Sequence, residues 1–324
     1  DYALLADPAD LAKVLARQAR DAKDAMPSDL RPISALLDDF ALALGLSFDL
    51  DDDKGDRFFR GSLIQTAFYS LFAAWVLWDR DARKSAGPFT IAEAERYLRI
   101  PFLQELFHDL RSPRYLRELD LGTHLERAVA TLNRVDLELF KQRMSFPTAS
   151  DQSPTVAAIT YFYEPFLEAF DPELRQELGV WYTPPEIVHY QVRRIHHLLK
   201  AELGIARGLA AEEVVVLDPC CGTGAYLLEV ARCISEELDS EGAGDTLGLE
   251  LLDALTKRVI GFEILTAPFA VAQLQLFILL ADLGATPTSD QRLSIYLTNA
   301  LTGWSDERDV KITFPEMKDE FDAS

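Results

Sequence analysis

The sequence predicts an α/β domain built on a parallel sheet, preceded by an all-α domain. Three observations carry that reading. From residue 212 onward short apolar runs alternate with longer helical patterns, the rhythm of parallel strands joined by right-handed crossovers. One such run, VVVLD at 214–218, ends in an acid and turns through Cys-Cys-Gly-Thr-Gly into an apolar helix. Before residue 150, by contrast, apolar residues recur at the three- and four-residue steps of helices.

Taken in order, DLAKVLARQARDAKDAM and ISALLDDFALALGLSF read as amphipathic helices, and DDDKGDR at 51–57 as a polar turn. A long apolar helix is expected over 57–84, and its Phe68, Phe72, Trp75 and Trp78 read as bundle core rather than as a cofactor stripe. Gly87-Pro88 breaks the chain, and Thr90 with Glu93 has capping-box spacing for the next helix. Helical patterns continue to about residue 144, and FPTASDQSPT at 146–155 reads as the domain boundary. Residues 1–150 are thus expected to be a helical domain of scaffold or coupling type, 151–302 the ligand-binding part, and 303–324 an irregular acidic tail.

After the boundary comes a helix, TVAAITYFYEPFLEAF, and then GVWYTPPEIVHYQVRRIHHLL. The latter begins extended and continues as a helix, with Pro184 and Pro185 tolerable only in its first turn. The strand VVVLD, the helix GAYLLEVARCISEEL, a loop at DSEGAGDT, the strand KRVIGFEI, the helix PFAVAQLQLFILLADLG and the strand LSIYLTN complete the pattern.

Composition narrows the function. With 324 residues, 48% hydrophobic and 26% charged, the chain is ordinary globular material for about two domains. No charge-free run of roughly 18 apolar residues is visible, so no transmembrane helix and no membrane partner are expected. The N-terminus DYALLADPADLAKVL has no signal-peptide pattern and does not begin with Met, so a segment of a longer protein is expected. Three cysteines, two of them adjacent, fit a reducing, cytoplasmic setting. The five histidines lack zinc-ligand spacing, and no metal site is expected. Residues 1–150 carry 24 acids and 20 bases, whereas 151–324 carry 29 and 12, for a net charge of −21. Phosphate binding wants clustered Lys and Arg, so any DNA-contacting surface should lie mostly outside this sequence.

The glycine-rich turn narrows it further. Ligands of open parallel sheets bind beyond the carboxyl ends of the strands, where this turn sits. Leu227 occupies the third position of a Gly-x-Gly-x-x-Gly dinucleotide fingerprint, and no Gly-Lys-Ser/Thr follows. Asp218 at the mouth of the turn would repel a pyrophosphate but suits an ammonium group. Glu263 ends the next strand, where it can accept from both hydroxyls of a ribose. A nucleoside joined to an amino acid without phosphate describes S-adenosylmethionine.

Asp-Pro-x-Cys-Gly-Thr-Gly at 218–224 resembles the cofactor motif of amino-group DNA methyltransferases. TyrThrProProGluIleVal at 182–188 resembles the preceding motif of the adenine-specific, gamma-ordered members. GlyPheGluIle at 261–264 is similar to their acidic-strand motif, and IleTyrLeuThrAsnAlaLeu at 295–301 to the following strand end. The run 163–184 and, more loosely, QTAFYSLFAA at 65–74 are similar to the long single-chain type ISP restriction–modification enzymes, where a nuclease and helical coupler precede the methyltransferase and a target-recognition domain follows. The resemblance implies an incomplete Rossmann-like sheet of a class I S-adenosylmethionine-dependent methyltransferase. It further implies a bacterial or archaeal restriction–modification or phage-defence protein acting on double-stranded DNA.

By the same resemblance Tyr182, Thr183 and Pro184 would touch the methionine end of the cofactor. Asp218 would take its ammonium, with Pro219, Cys220, Gly222, Thr223 and Gly224 lining the turn. Glu263 would hold the ribose, Ile264 would pack on the adenine, and Asn299 would accept from adenine N6 where the family usually has Asp. The family's Asn/Asp-Pro-Pro-Tyr/Phe motif, which grips the target amine, is absent from the sequence. No catalytic residue is therefore assigned, and the segment alone is expected to transfer no methyl group. The alternative is a non-catalytic methyltransferase-like scaffold that docks partner proteins. A small-molecule or protein methyltransferase is disfavoured by the TyrThrProPro motif.

Overall fold

A computed structural model describes residues 5, 7–30, 53–81, 87–98, 100, 104, 107–108, 112, 119–136, 139, 154–172, 183–288 and 291–300. The described residues divide into two compact units, the first up to residue 172 and the second from residue 183. The expected helix at 33–48, the tail 303–324 and all but the last two residues of 146–155 lie outside the described residues.

The first unit is helical among the described residues. Helix α1 (Pro8–Ala25) is capped by Asp7, whose carboxylate accepts from the amides of Ala9 and Asp10, and starts on Pro8. It buries Leu11 and Leu15 together with Ala12, Ala16, Ala19 and Ala22, a stripe narrow enough for close packing. Helix α2 (Asp53–Arg80) supplies the aromatic core. Phe72 stacks on Phe162 with ring centroids 3.8 Å apart, and Tyr69 donates from its hydroxyl to the Tyr163 carbonyl. Phe68, Phe72, Trp75 and Trp78 are all buried, as bundle core should be. Contrary to the expectation of no such segment, Gly55–Arg80 is long and apolar enough to cross a membrane by length and composition. Its apolar window is 94% buried inside the protein, which is the environment of a core helix.

Thr90 caps the short helix α3 (Ile91–Tyr97) by accepting from the Glu93 amide at 3.2 Å, as the spacing predicts. Helix α4 (Gly122–Leu132) follows, and Asn133 just beyond it bonds both backbone groups of Phe89. Helix α5 (Pro154–Phe170) packs along α1. Behind it, buried Asp171 pairs with Arg57 at 2.6 Å and Lys23 at 3.5 Å. By packing, α5 lies with the first unit. Its Phe162, Phe166 and Phe170 are buried and help close the core of α1 and α2.

The second unit opens with helix α6 (Pro185–Ala201), with Pro184 as its N-cap and Pro185 in its first turn. A 3-10 turn at Gly208–Ala210 leads to strand β1 (Val216–Asp218). Helices α7 (Ala225–Ser240) and α8 (Leu247–Lys257) precede β2 (Val259–Glu263), and helix α9 (Thr266–Asp282) precedes β3 (Ile295–Leu297). The three strands are parallel in the order β1-β2-β3, with Asp218 opposite Gly261 and Glu263 opposite Leu297. Two consecutive crossovers thus step the same way across the sheet. Val259, Gly261, Glu263, Ile295 and Leu297 are buried on one face. The strands are shorter than the apolar runs suggest, since 214–215 precede β1 and 298–299 follow β3.

Candidate cofactor site

The site forms where β1 and β2 end. Asp218 is the last residue of β1, and the chain then folds back so that the Cys221 amide donates to the Phe262 carbonyl of β2 at 2.9 Å. The Gly222 amide donates to Oε2 of Glu263 at 2.9 Å, while Oε1 of the same carboxylate accepts from the Leu265 amide at 2.8 Å. Gly224 closes the turn with φ 82° and serves as N-cap of α7. A Cβ at Gly224 would lie 2.9 Å from the Cβ of Ala272 on α9, so both the dihedral and the packing demand glycine. At Gly222, φ is 56° but a Cβ would meet nothing within 4 Å. Its amide is tied down while its α-carbon faces open space.

The two carboxylates share one electrostatic condition. Burial pushes the Asp218 carboxyl above its ordinary range, partly opposed by the Cys220 amide that donates to its Oδ1 at 3.2 Å. Burial also raises Glu263, against the lowering effect of the Leu265, Gly222 and Ile264 amides, and the neighbouring charge of Asp218 raises it further. Among the described residues no Lys or Arg is paired with either. Two desolvated acids at neighbouring strand ends suit a cationic guest. Three amides leave the Glu263 carboxylate one acceptor position of its four, which can still take a hydroxyl.

Of the residues expected at this site, Asp218, Pro219, Cys220, Gly222, Thr223 and Gly224 run from the end of β1 through the turn to α7, Glu263 ends β2 and Ile264 follows it. Thr298 donates its amide to the Glu263 carbonyl at 2.8 Å, so Asn299 directly after it stands at the same sheet edge. Thr183 and Pro184 precede α6, which packs against α7, and Gln191 of α6 accepts from the Tyr226 hydroxyl of α7. Tyr182 lies outside the described residues. The tether between Glu263 and the Gly222 and Leu265 amides escapes sequence reasoning, because backbone donors leave no mark in residue type. Among the described residues no group of His, Cys, Asp and Glu could hold a metal ion.

Residues 157–291 match the family model described as N-6 DNA Methylase. No curated protein matches the chain. Among solved structures, the chain is similar to a DrdV–DNA complex, with TM-score 0.59 and 19% identity over 91% of this chain and 25% of that one. It is also similar to the ATP-dependent type ISP restriction-modification enzyme LlaBIII bound to DNA, with TM-score 0.55 and 17% identity over 98% and 19% of the two chains. A nuclease-deletion mutant of the type ISP enzyme LlaGI in complex with a DNA substrate mimic gives 0.54 and 15%, over 98% and 22%. The chain therefore spans a quarter or less of the length of these structures. Through residues 157–291 it matches the N-6 DNA methylase family, and in fold it is similar to the type ISP restriction–modification enzymes.

Proposed function

We propose that the chain is the cofactor-binding part, with a helical coupler, of an adenine-N6 DNA methyltransferase in a restriction–modification system. The observation that carries this reading is the pair Asp218 and Glu263, two carboxylates at adjacent strand ends whose pKa burial raises, on either side of the Gly222–Gly224 turn. The donor set fits S-adenosylmethionine. Asp218 takes the ammonium, Glu263 accepts the ribose hydroxyls, and the bare α-carbon of Gly222 lets the ligand lie against the backbone. Thr183 and Pro184 line the methionine end, Ile264 packs on the adenine, and Asn299 reaches toward the base to be methylated. The cofactor, when bound, supplies an electrophilic sulfonium methyl.

The sheet supports a Rossmann-like domain of which part is present. Among the described residues β1 has no partner on its outer edge, and Val215 and Leu217 are 64% and 55% exposed. A doubly wound sheet would continue along that edge and cover that face. The sequence holds no Asn/Asp-Pro-Pro-Tyr/Phe, so the residues that grip the target amine come from elsewhere in the parent protein. DNA contact is assigned there too, because the −17 balance of 151–324 repels phosphate.

Calorimetric titration of the chain with S-adenosylmethionine tests the reading. Heat of binding is expected, and it should vanish in D218A and E263A. No heat at millimolar ligand sinks the proposal, as does unchanged affinity in both variants.

A further inference from the structure

Helix α6 is held to α7 mainly by charge. Its buried residues are Val188 and Val192, yet it lies beside α7 along much of its length. His189 pairs with Glu229 at 2.8 Å, Arg193 with Glu236 at 2.6 Å, and His196 with Glu237 at 3.3 Å, while Lys200 also reaches Glu237. Numbers rise together on both helices, so the two run parallel with their N-termini at the same end. Parallel neighbours gain nothing from their dipoles, and the ion pairs offset this.

Glu229 stands apart within this row. Its side chain is 8% exposed, against 58% for Glu236, and three cationic or proton-carrying groups converge on it. His189 Nδ1 lies at 2.8 Å and Arg193 Nε at 3.6 Å from α6, and Arg232 at 3.7 Å from its own helix. It is also the pair nearest the end of α6 that begins at Pro184 and Pro185.

We infer that Glu229 is a positioning residue, which fixes the N-terminal end of α6, and with it Thr183 and Pro184, beside the Gly222–Gly224 turn. It touches no ligand and acts through His189 and Arg193. The inference rests on the cofactor reading for what is being positioned, but not for the contact itself. Loss of the carboxylate leaves Arg193 and Arg232 near each other without the charge between them, and at this end of α6 only Val188 and Val192 remain buried to hold it.

Hydrogen exchange on the 324-residue chain tests this without any ligand. In E229A the amides of residues 187–193 should exchange about tenfold faster, while those of β2 and α9 keep their wild-type rates. E229Q keeps an acceptor for His189 and should recover part of the protection. E236Q, at an exposed pair, should change little. Wild-type exchange of α6 in E229A, equal loss in E236Q, or equal acceleration throughout β2 and α9 would each overturn the inference. If E229A does not fold, H189A and R193A probe the same contact from its more exposed side, and unchanged α6 exchange in both overturns it. S-adenosylmethionine affinity is then measured in the same variants, with a loss of about tenfold expected in E229A. A wild-type chain that binds no cofactor removes the cofactor reading, whereas the exchange data still decide the role of Glu229.

Discussion

The carboxylate of Glu263 accepts from the Gly222 amide at 2.9 Å, which ties the end of β2 to the turn that leaves β1. One bond therefore joins the acid expected to hold a ribose to the backbone expected to lie against the same ligand. It makes the turn and the acid a preorganised unit before any ligand arrives.

Gly222 and Gly224 should separate binding from folding. G224A forces a non-glycine residue to φ 82° and drives its Cβ to 2.9 Å from Ala272. Strain plus overpacking should cost roughly 2–4 kcal/mol of stability, read by denaturant titration. G222A faces open space and should cost only about 1 kcal/mol, from its positive φ. Its methyl group would nevertheless occupy the proposed ligand space, so cofactor affinity should fall well beyond the stability loss. Equal destabilisation by the two substitutions, or unchanged affinity in G222A, contradicts this geometry.

Asp218 and Glu263 should also leave a signature in pH. A carboxyl whose pKa is raised in the folded state binds its proton more tightly there than in the unfolded chain. Stability from such a group is therefore highest in acid and falls as pH rises through the raised value. Glu236 and Glu241, held low by Arg193 and Arg207, act in the opposite sense. Comparison with D218N cancels them, since both proteins contain them, and the carboxamide in D218N keeps an oxygen that can accept from the Cys220 amide. D218N should melt above the wild type at neutral pH, with the gap closing as pH drops to about 4, the ordinary carboxylate range. A constant gap across that span would show that the Asp218 pKa is not raised in the folded chain. A cationic ligand favours the ionised acids, so affinity should rise with pH over the same window.

The cysteines offer a readout that needs no substitution. Cys220 is exposed, whereas Cys221 and Cys233 are buried. Burial pushes the Cys221 thiol up, and that of Cys233 to about 11, so neither forms thiolate readily. A maleimide should label the folded chain once, at Cys220, by intact-mass spectrometry. S-adenosylmethionine should slow that labelling, because Cys220 lies in the turn between Asp218 and Gly222. Labelling at Cys221 in the native chain would contradict the packing of the turn.

The site is readable from the sequence where its geometry is local. A strand ending in Asp218, a turn with glycines at 222 and 224 and an apolar helix follow one another within a few residues, and short-range sterics dictate that order. Glu263 is readable as a strand end for the same reason. Helix α8 is not anticipated, although Leu251, Leu252 and Leu255 are buried together, because the Gly- and Asp-rich stretch before it reads as loop. The α6–α7 pairing is illegible for a different reason. His189, Arg193 and Lys200 show helical spacing alone, but nothing in that spacing names Glu229 or Glu237 as partners. Such long-range contacts are decided by which faces remain after the cores have closed.

The one-sided sheet makes a final demand. Leu217 is 55% exposed on the face away from the buried side chains of β2, while Leu227 of α7 has no exposure at all. If that face is bare in this chain, L217T should change stability by no more than about 0.5 kcal/mol. L227A, by contrast, should cost roughly 2–5 kcal/mol, because it opens a cavity between α7 and the sheet. Chemical denaturation of the two variants checks both values. A large loss from L217T would mean that something covers the strand already, and the argument for a sheet continued by further strands and helices would lose its support. Should L217T also reduce self-association at high concentration, the exposed leucine would be identified as a contact surface.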